Sequence, residues 1–251
     1  MGDIATTERD GVVLWRLDYP PVNAISFEML ERLEELLTAA QQNQAVRAVV
    51  VIGNGPTFAA GADIQGFLKL GGSLLDFMKK GSDLFSRVEQ SRLPFVAAVN
   101  GAAYGGGNEL AMVCDIRLAS PQARFGQPEV NLGIIPGWGG TVRLPRLVGM
   151  ARARRILLTG DAVTAEEAQE IGLVDRVVDS RLLVDAALNM GDRLASLAPQ
   201  ALAAIKKLLA DPNATTPSAE MAAMKELMAG QDVMEGIRAF LAHRRPHFVG
   251  Q

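Results

Sequence analysis

A chain of 251 residues, 49% hydrophobic and 21% charged, holds enough apolar material for a large buried core, which excludes a mostly disordered chain and permits one large domain or two small ones. A formal net charge of -3 argues against general binding to nucleic acid or anionic membranes, so the expected partner is a small molecule or a second copy of the chain. Cys114 is the single cysteine and forms no internal disulfide, no run of about 18 apolar residues marks a membrane span, and the first residues lack the features of a secretory signal; the expected location is the cytoplasm.

In chain order, Val12 to Leu17 reads as a strand broken by Pro20-Pro21. From Ser26, a plausible N-cap, apolar residues at Phe27, Leu30, Leu33, Leu36 and Leu37 recur at helical spacing, with a stop near Asn43. Ala48 to Ile52 and Phe95 to Val99 are short continuous apolar runs, as expected of strands covered on both faces. The helical stretch Leu74 to Glu89 lies between them, and Ile116 to Ala119 supplies another short strand. The second half is mostly helical: Ala151–Thr159, Ala165–Ile171, Leu182–Leu197, Ala201–Leu209, Ala219–Met228 and Asp232–Leu241, with one late strand over Leu173–Val178. A shift toward Ala, Leu, Met and Lys near residue 195 divides the chain into an α/β core, 1–195, and a helical region, 196–251. No repeat of fixed period stands out.

Three segments carry candidate chemistry. Asn100-Gly101 and Gly105-Gly106-Gly107 follow a buried strand and precede the short helical run around Leu110 to Val113. Strand, glycine turn and helix start in that order read either as an oxyanion site, with free N–H groups facing a ligand, or as a tight turn needing positive φ. Phe58 to Ile64, with Gly61 among small residues, reads as a second source of backbone donors or as an ordinary loop with Asp63 as a cap. Gln127 to Thr141, rich in Gly and Pro, reads as a fixed irregular loop around Glu129. Glu109 and Glu129 are carboxylates in apolar, glycine-rich settings, where an unsupported charge is costly; such a pair suits acid/base chemistry on a shared water. His243 and His247 are the only histidines, which makes a nucleophile–histidine site a poor reading, and no residue spacing indicates a metal or redox cofactor. Arg152, Arg154 and Arg155 read better as a solvated helix face than as a phosphate site.

The runs Ala59-Ala60-Gly61-Ala62-Asp63-Ile64, Gly105-Gly106-Gly107-Asn108-Glu109-Leu110-Ala111, Phe125-Gly126-Gln127-Pro128-Glu129, Leu132-Gly133-Ile134-Ile135-Pro136-Gly137 and Gly139-Gly140-Thr141 resemble, in order, those of the enoyl-CoA hydratase/isomerase (crotonase) superfamily, and the likeness covers nearly the whole chain. The resemblance implies a spiral of ββα repeats followed by a C-terminal helical trimerisation region, assembled as a homotrimer or a dimer of trimers. It implies an acyl-CoA substrate, with coenzyme A as part of the substrate and no other cofactor. It matches Ala62 and Gly106 to the two oxyanion N–H groups, Ala60, Ala62, Asp63, Ile64 and Gln65 to the coenzyme A-binding segment, and Glu109 and Glu129 to the paired catalytic glutamates. An intact pair favours hydration of a trans-2-enoyl-CoA over another acyl-CoA reaction such as double-bond isomerisation, and over a non-catalytic acyl-CoA- or RNA-binding protein. Trp138 stands where many hydratases have a small residue and reads either as an acyl-pocket wall or as core packing; Phe67 is a second candidate for that wall.

Overall fold

The computed structural model describes residues 2–63, 66, 74–210 and 216–250. It opens with a hairpin that the sequence reading half missed: β1 (Asp3–Arg9) pairs antiparallel with β2 (Val12–Asp18) through the tight turn Asp10-Gly11, both at positive φ. β1 leaves no apolar period to read because it is an edge strand in which only Ile4 is buried.

After helix α1 (Phe27–Gln42) the chain winds through three turns. β3 (Ala48–Gly53) leads to β4 (Thr57–Ala59) and α2 (Leu74–Glu89); β5 (Phe95–Val99) leads to β6 (Ala102–Tyr104) and α3 (Gly106–Val113); β7 (Ile116–Ala119) leads to β8 (Arg124–Gly126). Each turn sends one strand to each of two sheets. The larger has the order β1-β2-β3-β5-β7-β10, with β10 at Arg176–Val177, and is parallel from β2 onward. The smaller has the order β4-β6-β8-β9, with β9 at Val163–Thr164; β4, β6 and β8 run parallel. This is the ββα spiral that the resemblance implies, a repeat of backbone rather than of sequence.

β3 and β5 are buried along their whole lengths, as a parallel sheet covered on both faces requires. One face, with Trp15, Val49, Val51, Phe95 and Ala97, joins the core that includes α1 and α2; the other, with Val12, Leu14, Val50 and Val96, meets Leu183 and Ala187 of α7 (Leu183–Ala195). Asn100 ties adjacent turns together, accepting from the Gly53 amide at 3.0 Å and donating to the Gly55 carbonyl at 2.8 Å.

A 3₁₀ turn at Pro128–Leu132 and helices α4 (Gly140–Val148), α5 (Met150–Thr159) and α6 (Ala165–Glu170) follow β8. The late strand shrinks to the two residues of β10, because Leu173 and Val174 are spent in a turn bonded back to Ala168 and Asp175 accepts the Arg117 amide. Beyond residue 196 lie α8 (Pro199–Ala210), α9 (Pro217–Leu227) and α10 (Gln231–Leu241). Buried Lys206 of α8 joins them to the core, donating to the Leu93 carbonyl at 2.7 Å and to Asp115 at 2.6 Å. Buried Asp232 gathers the amides of Val249 and Gly250, docking the last residues against this region. Ile205, Leu209, Met221, Met224, Phe240 and Leu241 are exposed. No helix among the described residues is long and apolar enough to cross a membrane.

Candidate active site

β4, β6 and β8 end side by side, and the segments leaving their C-terminal ends converge on one pocket of about 110 Å³. Ala60-Gly61-Ala62 comes from β4, Gly105-Gly106 from β6, and Pro128-Glu129 from β8. Glu109 in α3, Met78 in α2, Leu132, Ile134, Ile135, Gly137 and Trp138 complete the lining, which is largely apolar.

The β4 segment is held from outside by the strap Val22–Ile25. Ala60 donates to Val22 at 3.1 Å, Ile25 donates to Gly61 at 2.7 Å, and Asp63 donates to Ile25 at 2.9 Å. In this parallel bridge Ile25 bonds the residues flanking Ala62, so the Ala62 N–H points away from the strap, on the side of the pocket that Ala62 lines. The strap is itself anchored by buried Asn23, whose side chain donates to the Asn54 and Thr57 carbonyls at 3.0 and 2.8 Å.

On the β6 side, Gly105 turns the chain at φ +50°, and α3 begins at Gly106. As the first helical residue, Gly106 has an N–H with no acceptor inside the helix, at its positive end. Two glycines are required here, Gly105 by its positive φ and Gly107 by contact, since a Cβ on Gly107 would be driven to 1.9 Å from the Ala59 carbonyl oxygen. α3 is buried along its whole length, and Glu109 in its first turn lines the pocket.

Glu109 is 2% exposed. One of its oxygens accepts the backbone amides of Trp138 and Gly140 at 2.8 and 2.7 Å. Burial pushes its carboxyl up to about 7 and the charge of Glu129 adds to the rise, against the opposing pull of the two amides and Arg143. Glu129 is less deeply placed, and burial raises it too. In the amide orientation that its surroundings require, buried Gln127 donates to both Glu129 oxygens at 3.0 and 3.1 Å. Arg143 of α4 fixes the loop that serves Glu109: its guanidinium donates to the Trp138 carbonyl at 2.7 Å and to Glu89 of α2 at 2.6 Å. Two supported carboxyls with raised proton affinity thus line one pocket with the backbone of Ala62 and Gly106, an arrangement suited to moving protons beside a developing oxyanion.

Of the residues expected from the sequence, Ala60, Ala62, Gly106, Glu109, Glu129 and Trp138 line this one pocket. Asp63 lies just outside its lining with its amide engaged by Ile25. Ile64, Gln65 and Phe67 lie outside the described residues. Trp138, 2% exposed, is part of the core, as one of its readings has it, and it also lines the pocket. Arg155 pairs with Glu167, and Arg152 and Arg154 are exposed, a solvated face as expected. Sequence reasoning missed Gln127, Arg143, Met78 and the Val22–Ile25 strap; only Gln127, two residues before Glu129 in an already suspect loop, left a readable signal.

The profile of the family described as enoyl-CoA hydratase/isomerase matches residues 7–251. A probable enoyl-CoA hydratase of Bacillus subtilis is 39% identical over 249 residues, 96% of each chain. A crotonyl-CoA hydratase of Syntrophomonas wolfei is 39% identical over 92% of this chain and 91% of its own. Among solved structures, the enoyl-CoA hydratase from Bacillus anthracis superposes with a TM-score of 0.95 at 33% identity, covering 99% of this chain and all of that one.

Proposed function

The chain belongs to the enoyl-CoA hydratase/isomerase family, and we propose that its pocket adds water across the double bond of a trans-2-enoyl-CoA, giving a 3-hydroxyacyl-CoA, the hydration step of acyl-CoA β-oxidation. The observation that carries this reading is the meeting of Glu109 and Glu129 with Ala62 and Gly106 in one pocket.

The thioester oxygen lies between the Ala62 and Gly106 amides, which polarise the conjugated system toward an enolate. Glu109, ionised, takes a proton from water as the water oxygen bonds to the β-carbon. The electron pair of the double bond moves toward the thioester oxygen, where the two amides and the positive end of α3 stabilise it; each such donor typically lowers the barrier by about 3 kcal/mol. In the reactive form the one proton that the pair shares rests on Glu129, which delivers it to the α-carbon as the enolate collapses. Water has then been added in full, and transfer of the captured proton from Glu109 to Glu129 resets the pair. Both carboxyls line the same pocket and serve one water, which supports addition of the two new bonds to the same face of the alkene. These steps use water and groups of this chain alone, with coenzyme A entering as part of the substrate through the segment that includes Ala60, Ala62 and Asp63.

The exposed apolar side chains of α8 to α10 support a homotrimer or a dimer of trimers assembled through the helical region 196–251. The test of the activity is turnover of crotonyl-CoA, followed by loss of the conjugated enoyl-thioester absorbance, beside a 3-enoyl-CoA as isomerase substrate. Hydration should exceed isomerisation. Glu109→Gln and Glu129→Gln should each bind acyl-CoA yet hydrate about 10²- to 10⁴-fold more slowly. Near-normal turnover in either variant removes that residue from the mechanism.

A further inference from the structure

Trp138 is connected to the chemistry by its main chain, which bonds Glu109 through its amide and Arg143 through its carbonyl. Its ring does something separate. The indole lies between α2 and α3, in edge-on contact with Phe77 and Phe85, ring centroids 5.3 and 5.4 Å away. It fits there because both helices present a glycine. A Cβ on Gly81 of α2 would stand 2.4 Å from the indole nitrogen, and one on Gly106 of α3 would stand 2.3 Å from the six-membered ring. The wall between the helices is therefore a close fit of one large side chain to two absent ones, backed by two phenylalanines.

The proposed hydration sets a direction for the substrate. With the thioester oxygen at Gly106 and the β-carbon before Glu109 and Glu129, the rest of the acyl chain continues past the carboxylates, into the space that Trp138 and Met78 bound on the α2 side. An apolar cavity of roughly 150 Å³ holds one benzene-sized guest. The pocket formed by the described residues is of that order, about 110 Å³, and a tail that runs toward α2 meets the indole of Trp138.

We infer that Trp138, seated on Gly81 and Gly106, is a length gate that makes short-chain 2-enoyl-CoA thioesters, of the four-carbon class, the preferred substrates of this protein. The inference rests on the hydratase reading and adds to it the substrate class and the residue that sets it. A side chain that removes the indole but keeps the backbone bonds opens the space between α2 and α3 to longer chains.

The experiment compares native protein with Trp138→Ala and Trp138→Leu on trans-2-enoyl-CoA substrates of four, six, eight and ten carbons, each profile normalised to its own four-carbon value. Binding of butyryl-CoA and octanoyl-CoA, which carry no double bond to hydrate, is measured on the same preparations. Native protein should favour the four-carbon over the eight-carbon substrate by tenfold or more, the scale on which an apolar pocket rejects surplus methylenes. Trp138→Ala should raise the eight-to-four ratio at least tenfold, and Trp138→Leu should fall between. If the alanine variant does not fold, the leucine variant carries the comparison by the same criterion. A native profile flat with length, or folded variants whose ratios match the native one, overturns the gate. Absent hydration with a native preference for butyryl-CoA that the substitutions relax would sink the hydratase reading and leave the gate standing. Equal binding of both saturated esters by native protein and variants sinks the gate even if crotonyl-CoA is turned over.

Discussion

Gly140 donates its amide to the same oxygen of Glu109 that accepts from Trp138, at 2.7 and 2.8 Å, so one half of the carboxylate is committed to the backbone. The two amides fix the side chain and favour its ionised form, while burial and Glu129 oppose ionisation. The balance leaves a group able to exchange protons near neutrality.

A pair that handles one water should fail as a unit. The double variant Glu109→Gln/Glu129→Gln is expected to be far less impaired than the product of the two single losses, because the first substitution already removes concerted delivery. Steady-state kcat/KM on crotonyl-CoA across the four-member cycle measures this; fully multiplicative losses would mean the two residues work on separate steps.

The pH dependence follows from the burial of Glu109. With its carboxyl near 7 and ionised Glu109 as the base, kcat/KM should fall about tenfold per unit as pH drops below this value. Glu109→Gln should lose that acid limb from its residual activity. Retention of the same limb in the variant assigns it to another group.

Stability should move the other way. A carboxyl whose folded value lies above its ordinary 4.5 holds its proton longer in the folded than in the unfolded chain, so its favourable contribution is present at low pH and is lost as pH rises through about 7. On that account ionised Glu109 lowers stability at pH 8 by on the order of 3 kcal/mol relative to pH 4. Glu109→Gln, which keeps an oxygen for both amides, should unfold at a higher temperature than native protein at pH 8, with the gap closing toward pH 5. Thermal unfolding at the two pH values decides it, and equal midpoints at pH 8 would show that the burial penalty is met in another way.

Arg143 offers a test of support at one remove from the reaction. Arg143→Gln leaves Glu89 without its partner and the Trp138 carbonyl without its donor, a loss on the order of 2 kcal/mol for a pair that is only partly shielded. Because its positive charge pulls the Glu109 carboxyl down, its removal should shift the acid limb of the rate profile to higher pH. A purely structural role would lower Tm and leave the limb in place.

Lys206 tests how the helical region is attached. Lys206→Met removes the bonds to Leu93 and Asp115 and the contact over the Phe95 ring, 5.3 Å from its centroid. Asp115 keeps its bond from the Phe95 amide. Faster proteolysis and hydrogen exchange in residues 199–250 should accompany a stability loss on the order of 2 kcal/mol. Unchanged protection there would place the attachment elsewhere.

Much of the large sheet is legible in the sequence because β3 and β5 are continuous apolar runs, and the long helices because each has one apolar stripe. The small sheet is illegible for a physical reason: β4, β6 and β8 have three residues each, too few for any period, yet they place the site. Glu109 and Glu129 stand out as charges among glycines and apolar residues. Their supports do not, since the donors to Glu109 are main-chain amides of Trp138 and Gly140 and carry no mark of side-chain type. Arg143 looks like any other surface arginine of a helix until the fold brings Glu89, fifty-four residues away, beside it.

The three short strands of the small sheet also act as a ruler. Neighbouring strands lie about 4.8 Å apart, and the segments that bear Ala62, Gly106 and Glu129 leave consecutive strands at corresponding ends, so the ladder sets their order and approximate spacing before the Val22–Ile25 strap and the 3₁₀ turn fix the details. A slip of one residue in β8 would carry Glu129 about 3.3 Å along the strand, at right angles to that spacing and away from its place beside Gly105. New reactivity on this backbone is therefore most accessible by exchanging side chains at fixed stations, with the backbone amides of Ala62 and Gly106, which belong to no side chain, left in place through every exchange.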